Sequence, residues 1–361
     1  MCQGSPTLGY GTEEAAMPDT LIDLSSDTAT RPSAEMRRFM AEAEVGDEQR
    51  REDPTVNLLQ EMVAELLGKE EALFLPSGTM CNAIAITLHT RPGDELILDR
   101  TAHPYTSEGG GPAHLAGVSF ALLDGDRGVF TADQLREAIR DTGPHSARSR
   151  LVSMENTTNA GSGRVWPMET LREVAEVGRE RGLKVHMDGA RLMNAVVASG
   201  IPAKEIAAPV DTTWIDLSKG LGCPVGGVLA GSHEDMHEAR RLKHRFGGAM
   251  RQAGIIAAAG VYAFKHNVDR LAEDHENARR LAQGLADIPG IELNPDDIET
   301  NIVYFDVSGT GRDGAEINDA ITARGVRMGG RGKRIRAVTH LDVTSSDIDR
   351  AVEVMREELM G

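Results

Sequence analysis

Short apolar runs alternate with amphipathic, helix-like stretches between about residue 50 and residue 231. Short runs of β-branched and other apolar side chains predict buried strands, whereas apolar residues that recur every three or four positions predict helices. The predicted strands span residues 71–75, 95–98, 119–123, 151–154, 184–187, 212–217 and 227–230. This alternation predicts an α/β fold with a mostly parallel, seven-stranded sheet that helices cover on both faces.

One helix is marked at both of its ends. Asp53 can cap a helix over residues 55–67, Pro54 suits its first turn, and Gly68 ends it.

The pattern changes in the last third of the chain. A long helical stretch from Gly254 to about Ala286 precedes Pro289-Gly290, and the elements predicted after it are strands at 301–307 and 334–338 and helices at 315–323 and 346–359. These elements predict a small C-terminal α/β domain at 266–361, packed on a large domain at 19–265. Residues 1–18 lack the basic start and apolar core of a signal peptide, and their glycine, serine and proline residues predict a disordered extension.

Composition narrows the classes of function. The 361 residues are 40% hydrophobic, which suits a globular chain, and carry a net charge of −17 with only 4% aromatic residues. An acidic, aromatic-poor surface argues against nucleic acid and anionic membranes as partners. The three cysteines, Cys2, Cys81 and Cys223, show neither a disulfide framework nor zinc spacing, and no run reaches the ~18 apolar residues of a membrane span. We therefore expect a cytoplasmic protein, with Cys223 as a packing residue.

A lone lysine followed by glycines ends the strand predicted at 212–217. Lys219 precedes Gly220, and 31 residues upstream Asp188 ends the strand at 184–187 and precedes Gly189. An amine and a carboxylate at neighbouring strand ends suit pyridoxal phosphate: the lysine forms a Schiff base, and the aspartate keeps the pyridine nitrogen protonated. The alternative is a surface lysine and a structural aspartate.

Two further segments follow predicted strands. Ser77-Gly78-Thr79 opens a helix after the strand at 71–75, where backbone N–H groups and the helix dipole can bind a phosphate. His103 follows the strand at 95–98, where its ring could stack on a pyridine. An ordinary helix cap and a polar loop histidine are the alternatives. In open α/β sheets, ligands bind at the carboxyl ends of the strands.

From about Ile22 to the C-terminus, the chain resembles the L-threonine aldolase family of fold-type I pyridoxal-phosphate enzymes. The resemblance is carried by the order and spacing of several short motifs: Asp23-Leu24-Ser25-Ser26-Asp27-Thr28-Ala29-Thr30-Arg31-Pro32, Asp53-Pro54-Thr55-Val56-Asn57, Pro76-Ser77-Gly78-Thr79, Ala102-His103, Met154-Glu155-Asn156-Thr157, Asp188-Gly189-Ala190-Arg191, Ser218-Lys219-Gly220-Leu221-Gly222, Gly248-Ala249-Met250-Arg251-Gln252 and Arg336-Ala337-Val338-Thr339-His340-Leu341-Asp342-Val343. It implies cleavage of L-threonine, L-allo-threonine or a related β-hydroxy-α-amino acid to glycine and an aldehyde.

The resemblance also implies a role for each matched residue. Lys219 would carry the internal aldimine, His103 would stack on the ring, and Asp188 would pair with the ring nitrogen. The cofactor's phosphate would be bound by Gly78, Thr79, Ser218 and, from a neighbouring subunit, Arg251. The substrate carboxylate would be bound by Ser26, Arg336 and Arg191, the last also counted with the cofactor site. His145 matches a family histidine near the substrate hydroxyl, and Glu108 matches an acid near the site. Arg251 implies a homo-oligomer, a dimer of dimers (homotetramer) with shared sites.

Two segments depart from the family pattern. Arg50-Arg51-Glu52 replaces a common aromatic-glycine pair, and is either a solvated charge run or a changed pocket. Asn156-Thr157-Thr158-Asn159 replaces a more usual Thr-His-Asn and is followed by an insertion, Ala160-Gly161-Ser162-Gly163. The Arg50-Arg51 segment leaves open a racemase or a β-eliminating lyase with the same cofactor. A non-catalytic member of the family, which binds the cofactor or a partner protein, is a further alternative. His233 and His237 are interpreted as a surface pair, so no metal is expected.

Overall fold

The computed structural model describes residues 21–141 and 143–361, so the extension predicted at 1–18 lies outside the described residues. The strands are β1 (Ile22–Asp23), β2 (Glu71–Leu75), β3 (Asp94–Asp99), β4 (Ser119–Leu123), β5 (Arg148–Glu155), β6 (Lys184–Asp188), β7 (Thr212–Asp216), β8 (Gly227–Gly231), β9 (Ile302–Asp306), β10 (Val326–Arg327), β11 (Gly329–Arg331) and β12 (Arg334–Val338).

The α-helices lie between and after these strands. They are α1 (Ala34–Ala41), α2 (Pro54–Leu67), α3 (Gly78–His89), α4 (His103–Thr106), α5 (Ala132–Ala138), α6 (Met168–Glu180), α7 (Leu192–Ser199), α8 (Ala203–Ala207), α9 (His233–Arg245), α10 (Gly254–His266), α11 (Leu271–Ala286), α12 (Gly314–Thr322) and α13 (Ser345–Met360). Among the described residues, no helix is long and apolar enough to cross a membrane.

A seven-stranded sheet forms the centre of the fold. Its order is β2-β8-β7-β6-β5-β3-β4, and only β8 runs antiparallel to its neighbours. Strand β7 is buried at every position and β6 at every position after Lys184, as expected for strands with helices on both faces. The predicted α/β class, the seven strands and the mostly parallel pairing are confirmed.

Both ends of α2 follow from its sequence. The Asp53 side chain accepts a hydrogen bond from Val56 N, Pro54 takes the first position, and Gly68 adopts a left-handed conformation with φ of 60°. An L-residue with a side chain rarely adopts that φ, so glycine suits this C-cap.

The long helical stretch that was predicted from Gly254 is two helices, which is a correction. The chain turns between α10 and α11, and the Asn267 side chain donates a hydrogen bond to the Leu221 carbonyl at 2.7 Å. Helix α10 packs on the core of the large sheet, whereas α11 packs on α13. The direction of packing therefore changes at a position where the helical pattern of the sequence does not.

A second apolar core lies around β9, β11 and β12, which form a small antiparallel sheet. Strand β1 pairs with β10, and Leu24 packs in this second core. The predicted boundaries, however, place β1 and Leu24 in the large domain and β10 in the small one. The division at residues 265 and 266 stays a prediction.

Candidate active site

One cavity of about 380 Å³ opens at the carboxyl edge of the large sheet, which suits a small-molecule ligand. Strands β2, β6 and β7 all end there, because β2 and β7 are both antiparallel to β8. Ten residues that were predicted for the site line it: Ser26, Gly78, Thr79, His103, Glu108, Asp188, Arg191, Ser218, Lys219 and Arg336. Residues that are far apart in the sequence thus meet at one place.

The start of α3 forms one wall of this cavity. The Ser77 side chain caps the helix by accepting a hydrogen bond from Met80 N at 3.2 Å. A Cβ at Gly78 would collide with the Trp214 ring and come within 3.0 Å of Asp216 Oδ2, so only glycine fits at this position. The first-turn N–H groups and the dipole of a 12-residue helix favour an anion here.

Lys219 extends its amine into the cavity directly after β7. Its Nζ lies 3.1 Å from Asp216 Oδ2 and 5.7 Å from the centroid of the Trp214 ring, and its side chain is 17% exposed. Asp216 also accepts hydrogen bonds from Ser218 N at 2.7 Å and from Ser218 Oγ at 2.8 Å. No local sequence pattern marks Asp216 as a site residue.

The buried Asn82 amide links Asp188 to Glu108, which in turn contacts His103. Asn82 Nδ2 donates to Asp188 Oδ2 and to Glu108 Oε1, both at 2.7 Å, and Glu108 Oε1 lies 2.9 Å from His103 Nδ1. Ala190 N donates to the other oxygen of Asp188 at 3.0 Å. The neutral amide donates to both carboxylates and holds them in place.

The orientation of the Asn82 amide is itself determined by its neighbours. Its Oδ1 accepts a hydrogen bond from Trp214 Nε1 at 2.8 Å and lies 3.3 Å from His186 Nε2. Burial, with a smaller contribution from the His89 charge, lowers the pKa of His186 to about 3, so its ring is neutral at pH 7. With these two groups on the oxygen side, the NH₂ group must face the carboxylates.

The hydrogen bond to Glu108 raises the pKa of His103, even though partial burial opposes this shift, and the Asp188 carboxylate adds to it. With Nδ1 directed at Glu108, Nε2 of His103 remains available to a ligand in the cavity. The backbone N–H of His103 donates to Glu155 Oε2 at 2.7 Å.

Glu155 is a buried acid in the cavity wall for which the sequence motifs predict no role. Its Oε1 accepts a hydrogen bond from Asn159 N at 2.5 Å. Burial and the nearby Asp188 carboxylate raise the pKa of Glu155. Glu155 therefore joins the segment that carries His103 to the segment that carries Asn159.

Two arginines bring positive charge to the cavity. Arg191 forms two hydrogen bonds with the fully buried Asp27, whose Oδ2 also accepts from Asn301 Nδ2 at 3.1 Å. Arg336 projects from β12 and donates to the Ser25 carbonyl at 2.8 Å and to Asn159 Oδ1 at 3.2 Å. Two guanidinium groups in one small cavity suit a carboxylate ligand.

Thr157 also lines the cavity, and its buried hydroxyl has no hydrogen-bond partner among the described residues. A buried hydroxyl without a partner is costly in a folded chain, so it is available to a bound ligand.

Two predicted site residues do not line this cavity. His145 is exposed in the turn before β5, at the amino end of that strand, whereas the cavity lies at its carboxyl end. A strand of this length places its ends roughly 23 Å apart, so a single chain does not bring His145 to the reacting groups. Arg251 is 62% exposed, and its NH1 lies 2.9 Å from Asp47 Oδ2.

The two segments that depart from the family pattern differ in their relation to the cavity. Arg50 and Arg51 do not line it: Arg51 adopts φ of 62° and forms an ion pair with Glu71 at 3.0 Å. Within one chain they form a solvated charge run. In the insertion, Ser162 Oγ bonds to the Ile302 carbonyl and accepts from Tyr304 N, so this segment joins the large sheet to β9.

Comparisons with known proteins agree with this arrangement. Residues 23–308 match the beta-eliminating lyase family. The chain is 43% identical over 329 residues to the low specificity L-threonine aldolase of Escherichia coli, which covers 91% of this chain and 96% of that protein.

Two solved structures share the fold. Leishmania major threonine aldolase matches with a TM-score of 0.79 and 21% identity over 94% of this chain and 99% of that chain. A structure of SPT with a PLP internal aldimine matches with a TM-score of 0.71 and 16% identity over 94% of this chain and 87% of that chain. At these identities the likeness concerns the fold.

Proposed function

Because the chain belongs to the beta-eliminating lyase family, and within it to the low-specificity L-threonine aldolases, we propose that it cleaves L-threonine, L-allo-threonine or a related β-hydroxy-α-amino acid to glycine and an aldehyde. One observation carries this proposal beyond the relatives' names. Lys219, Asp188, Arg191 and Arg336 line the same cavity, at the edge of the sheet where α3 begins.

The cofactor of this proposal is pyridoxal 5'-phosphate, and the residues of the cavity fit it. Lys219 supplies an amine for its aldehyde, Asp188 a carboxylate for its ring nitrogen, and α3 an N-terminus for its phosphate. The unpartnered hydroxyl of Thr157 leaves one further donor for a ligand. When bound, this cofactor supplies an electron-withdrawing ring that accepts the electron pair of a broken bond at the α-carbon.

Around that ring, the side chains of this chain would bind and orient the substrate. Arg191 and Arg336, with Ser26 beside them, would bind its carboxylate and thereby set which bond of the α-carbon stands perpendicular to the ring. Orientation of this kind lowers the activation barrier, by up to about 7–11 kcal/mol in well-oriented reactions. Asp27 would serve as the positioning residue for Arg191, because it fixes the plane of the guanidinium.

His103 is the residue best placed to accept a proton from the β-hydroxyl. Its Nε2 is free while Nδ1 is held by Glu108, and the raised pKa of the ring makes it a stronger base. In the same position the ring would also stack on the cofactor. Asn82 and Ala190 N would keep the Asp188 carboxylate directed at the ring nitrogen.

We further propose a homo-oligomer, a dimer of dimers, in which Arg251 completes the phosphate site of a neighbouring subunit. The support is that Arg251 is largely exposed and lies outside the cavity of its own chain. Active protein that elutes as a monomer in gel filtration would contradict this placement. The cytoplasm is the compartment we propose, on the grounds of the free, buried Cys81 and Cys223.

The test of the proposed activity is the release of glycine from a panel of β-hydroxy-α-amino acids. The purified, cofactor-loaded protein is incubated separately with L-threonine, L-allo-threonine, phenylserine and alanine. Glycine and a stoichiometric aldehyde are expected from at least one hydroxy amino acid. Racemised alanine or released ammonia without glycine would instead support the racemase or β-eliminating lyase alternative, and no turnover with any of them would support a non-catalytic member.

A further inference from the structure

Asp216 places a carboxylate in the part of the cavity that is otherwise suited to an anion. Its side chain is 6% exposed, and its Oδ2 would lie 3.0 Å from a Cβ on Gly78, the first residue of α3. The N-terminus of a helix stabilises negative charge and offers unpaired N–H donors. The Asp216 carboxylate therefore lies in the same favourable field that a phosphate would occupy.

The same carboxylate engages the side chains that the proposed cofactor needs. Its Oδ1 accepts both the N–H and the Oγ–H of Ser218, and its Oδ2 forms an ion pair with Lys219 at 3.1 Å. Under the proposed function, Ser218 would bind the phosphate and Lys219 would react with the aldehyde. Both groups already have an anionic partner within the chain.

Asp216 differs from the other acids of the cavity in the partner that compensates its charge. Glu108 lies against His103, Asp188 accepts a hydrogen bond from Asn82, and Glu155 accepts hydrogen bonds from two backbone N–H groups. The cation beside Asp216 is Lys219, the one charged group that the reaction with an aldehyde consumes.

We propose that Asp216 is an internal counter-anion that competes with the cofactor's phosphate for Ser218 and for the field of α3, and so weakens the binding of pyridoxal phosphate. This inference rests on the proposed function. For loading, the Lys219 ammonium must give up a proton to solvent; its nitrogen then forms a bond to the aldehyde carbon, and the aldehyde oxygen leaves as water. Asp216 then faces a phosphate with one cation fewer nearby, and the repulsion between the two anions reduces the affinity.

The test compares two forms of the cofactor that differ only in the phosphate. Cofactor-free wild-type protein and Asp216→Asn are titrated with pyridoxal phosphate and, separately, with pyridoxal, and the dissociation constants are read from the visible absorbance. Asn keeps the shape of Asp and an acceptor for Ser218 while removing the charge. Asp211→Asn is the matched control. Asp211 lies just before the first residue of β7, whereas Asp216 is its last, and it pairs with Lys184 at 2.9 Å outside the cavity.

We expect Asp216→Asn to bind pyridoxal phosphate about tenfold more tightly than the wild type, as the removal of a nearby like charge in a partly buried site predicts. The dissociation constant of pyridoxal should change by less than about threefold in Asp216→Asn, because pyridoxal has no phosphate to meet the carboxylate. The dissociation constant of pyridoxal phosphate should change equally little in the control variant, because that substitution lies outside the cavity. Unchanged or weaker binding of pyridoxal phosphate would overturn the inference. An equal gain for pyridoxal would also overturn it, because the effect would then act on the amine alone.

A second variant and the wild-type titration keep the outcome interpretable. Asp216→Ser, with a smaller side chain, carries the same comparison if thermal unfolding shows that Asp216→Asn is not folded. Failure of the wild type to bind pyridoxal phosphate at all would contradict the proposed function, whereas normal binding with no effect of Asp216→Asn would contradict only this inference.

Discussion

The Asp27 carboxylate holds the Arg191 guanidinium through two hydrogen bonds, from Nε at 2.7 Å and from NH2 at 2.8 Å, although 164 positions separate the two residues. Both side chains are almost completely buried. Burial alone would raise the pKa of Asp27, but the charge and hydrogen bonds of Arg191 keep this pKa well below its usual value. The pair is therefore ionised, and it fixes the guanidinium that we expect to meet the substrate carboxylate.

Removal of the Asp27 charge should cost both stability and substrate affinity. Asp27→Asn leaves Arg191 as a buried, uncompensated cation, and we expect a loss of about 3 kcal/mol in the free energy of unfolding. The KM of the cleaved amino acid should rise as well. Asp349→Asn is the control, because it breaks an exposed pair with Arg280 and should cost about 1 kcal/mol or less. Urea unfolding of both variants measures the difference, and equal losses would argue against a special role for the buried pair.

The stability contributed by Asp27 should depend on pH in a defined direction. A carboxyl whose pKa is lowered in the folded state stabilises the fold above its unfolded pKa of about 3.9, and this contribution is lost as pH falls toward the folded value. The difference in unfolding free energy between the wild type and Asp27→Asn should thus be constant from pH 7 to about pH 5 and shrink in stronger acid. A difference that grows below pH 4 would contradict this assignment.

Glu108 should set the pH at which His103 titrates. Since the hydrogen bond to the Glu108 carboxylate is the largest cause of the raised pKa of His103, Glu108→Gln should move that pKa to a lower pH. NMR of the histidine ring protons measures the midpoint directly, and the pH dependence of turnover should shift the same way. Glu137→Gln, which lies on α5, is the control that should move neither. A His103 midpoint that Glu108→Gln leaves in place would refute the coupling.

Asn82 should matter for cofactor binding beyond its effect on stability. Asn82→Leu removes the donor to Asp188 and to Glu108 and leaves Trp214 Nε1 without its acceptor, so a loss of about 1–3 kcal/mol in unfolding free energy is expected. Asn277→Leu removes another buried amide, whose partner is the Val343 carbonyl in the second core. Both variants should lose stability, but only Asn82→Leu should weaken the binding of pyridoxal phosphate. Similar affinities in the two variants would limit Asn82 to a structural role.

Much of the large sheet was predictable from local pattern. Apolar runs such as 71–75 and 212–217 are strands because strands buried on both faces leave a continuous signal in the sequence. The break between α10 and α11 was not predictable in this way, since it depends on two different cores that the helices contact. The pairing of β1 with β10 likewise joins residues that are about 300 positions apart.

The residues of the site also fall into those that local sequence pattern predicts and those that it does not. Lys219, Asp188 and Gly78 stand at strand ends, where residue type and local pattern already indicate chemistry. Asn82 and Asp216 were missed because their importance lies in their partners, which become neighbours only in the folded chain. His145 shows the converse, since a family match gave it a role that the geometry of one chain does not support.

The most direct test of the account is the location of the covalent bond to the cofactor. Wild-type protein loaded with pyridoxal phosphate is reduced with borohydride, digested, and examined by peptide mass spectrometry. We expect a single reduced pyridoxyl adduct, on Lys219. Lys219→Ala should show neither this adduct nor the release of glycine. An adduct on another lysine, or aldehyde release that persists in Lys219→Ala, would contradict it.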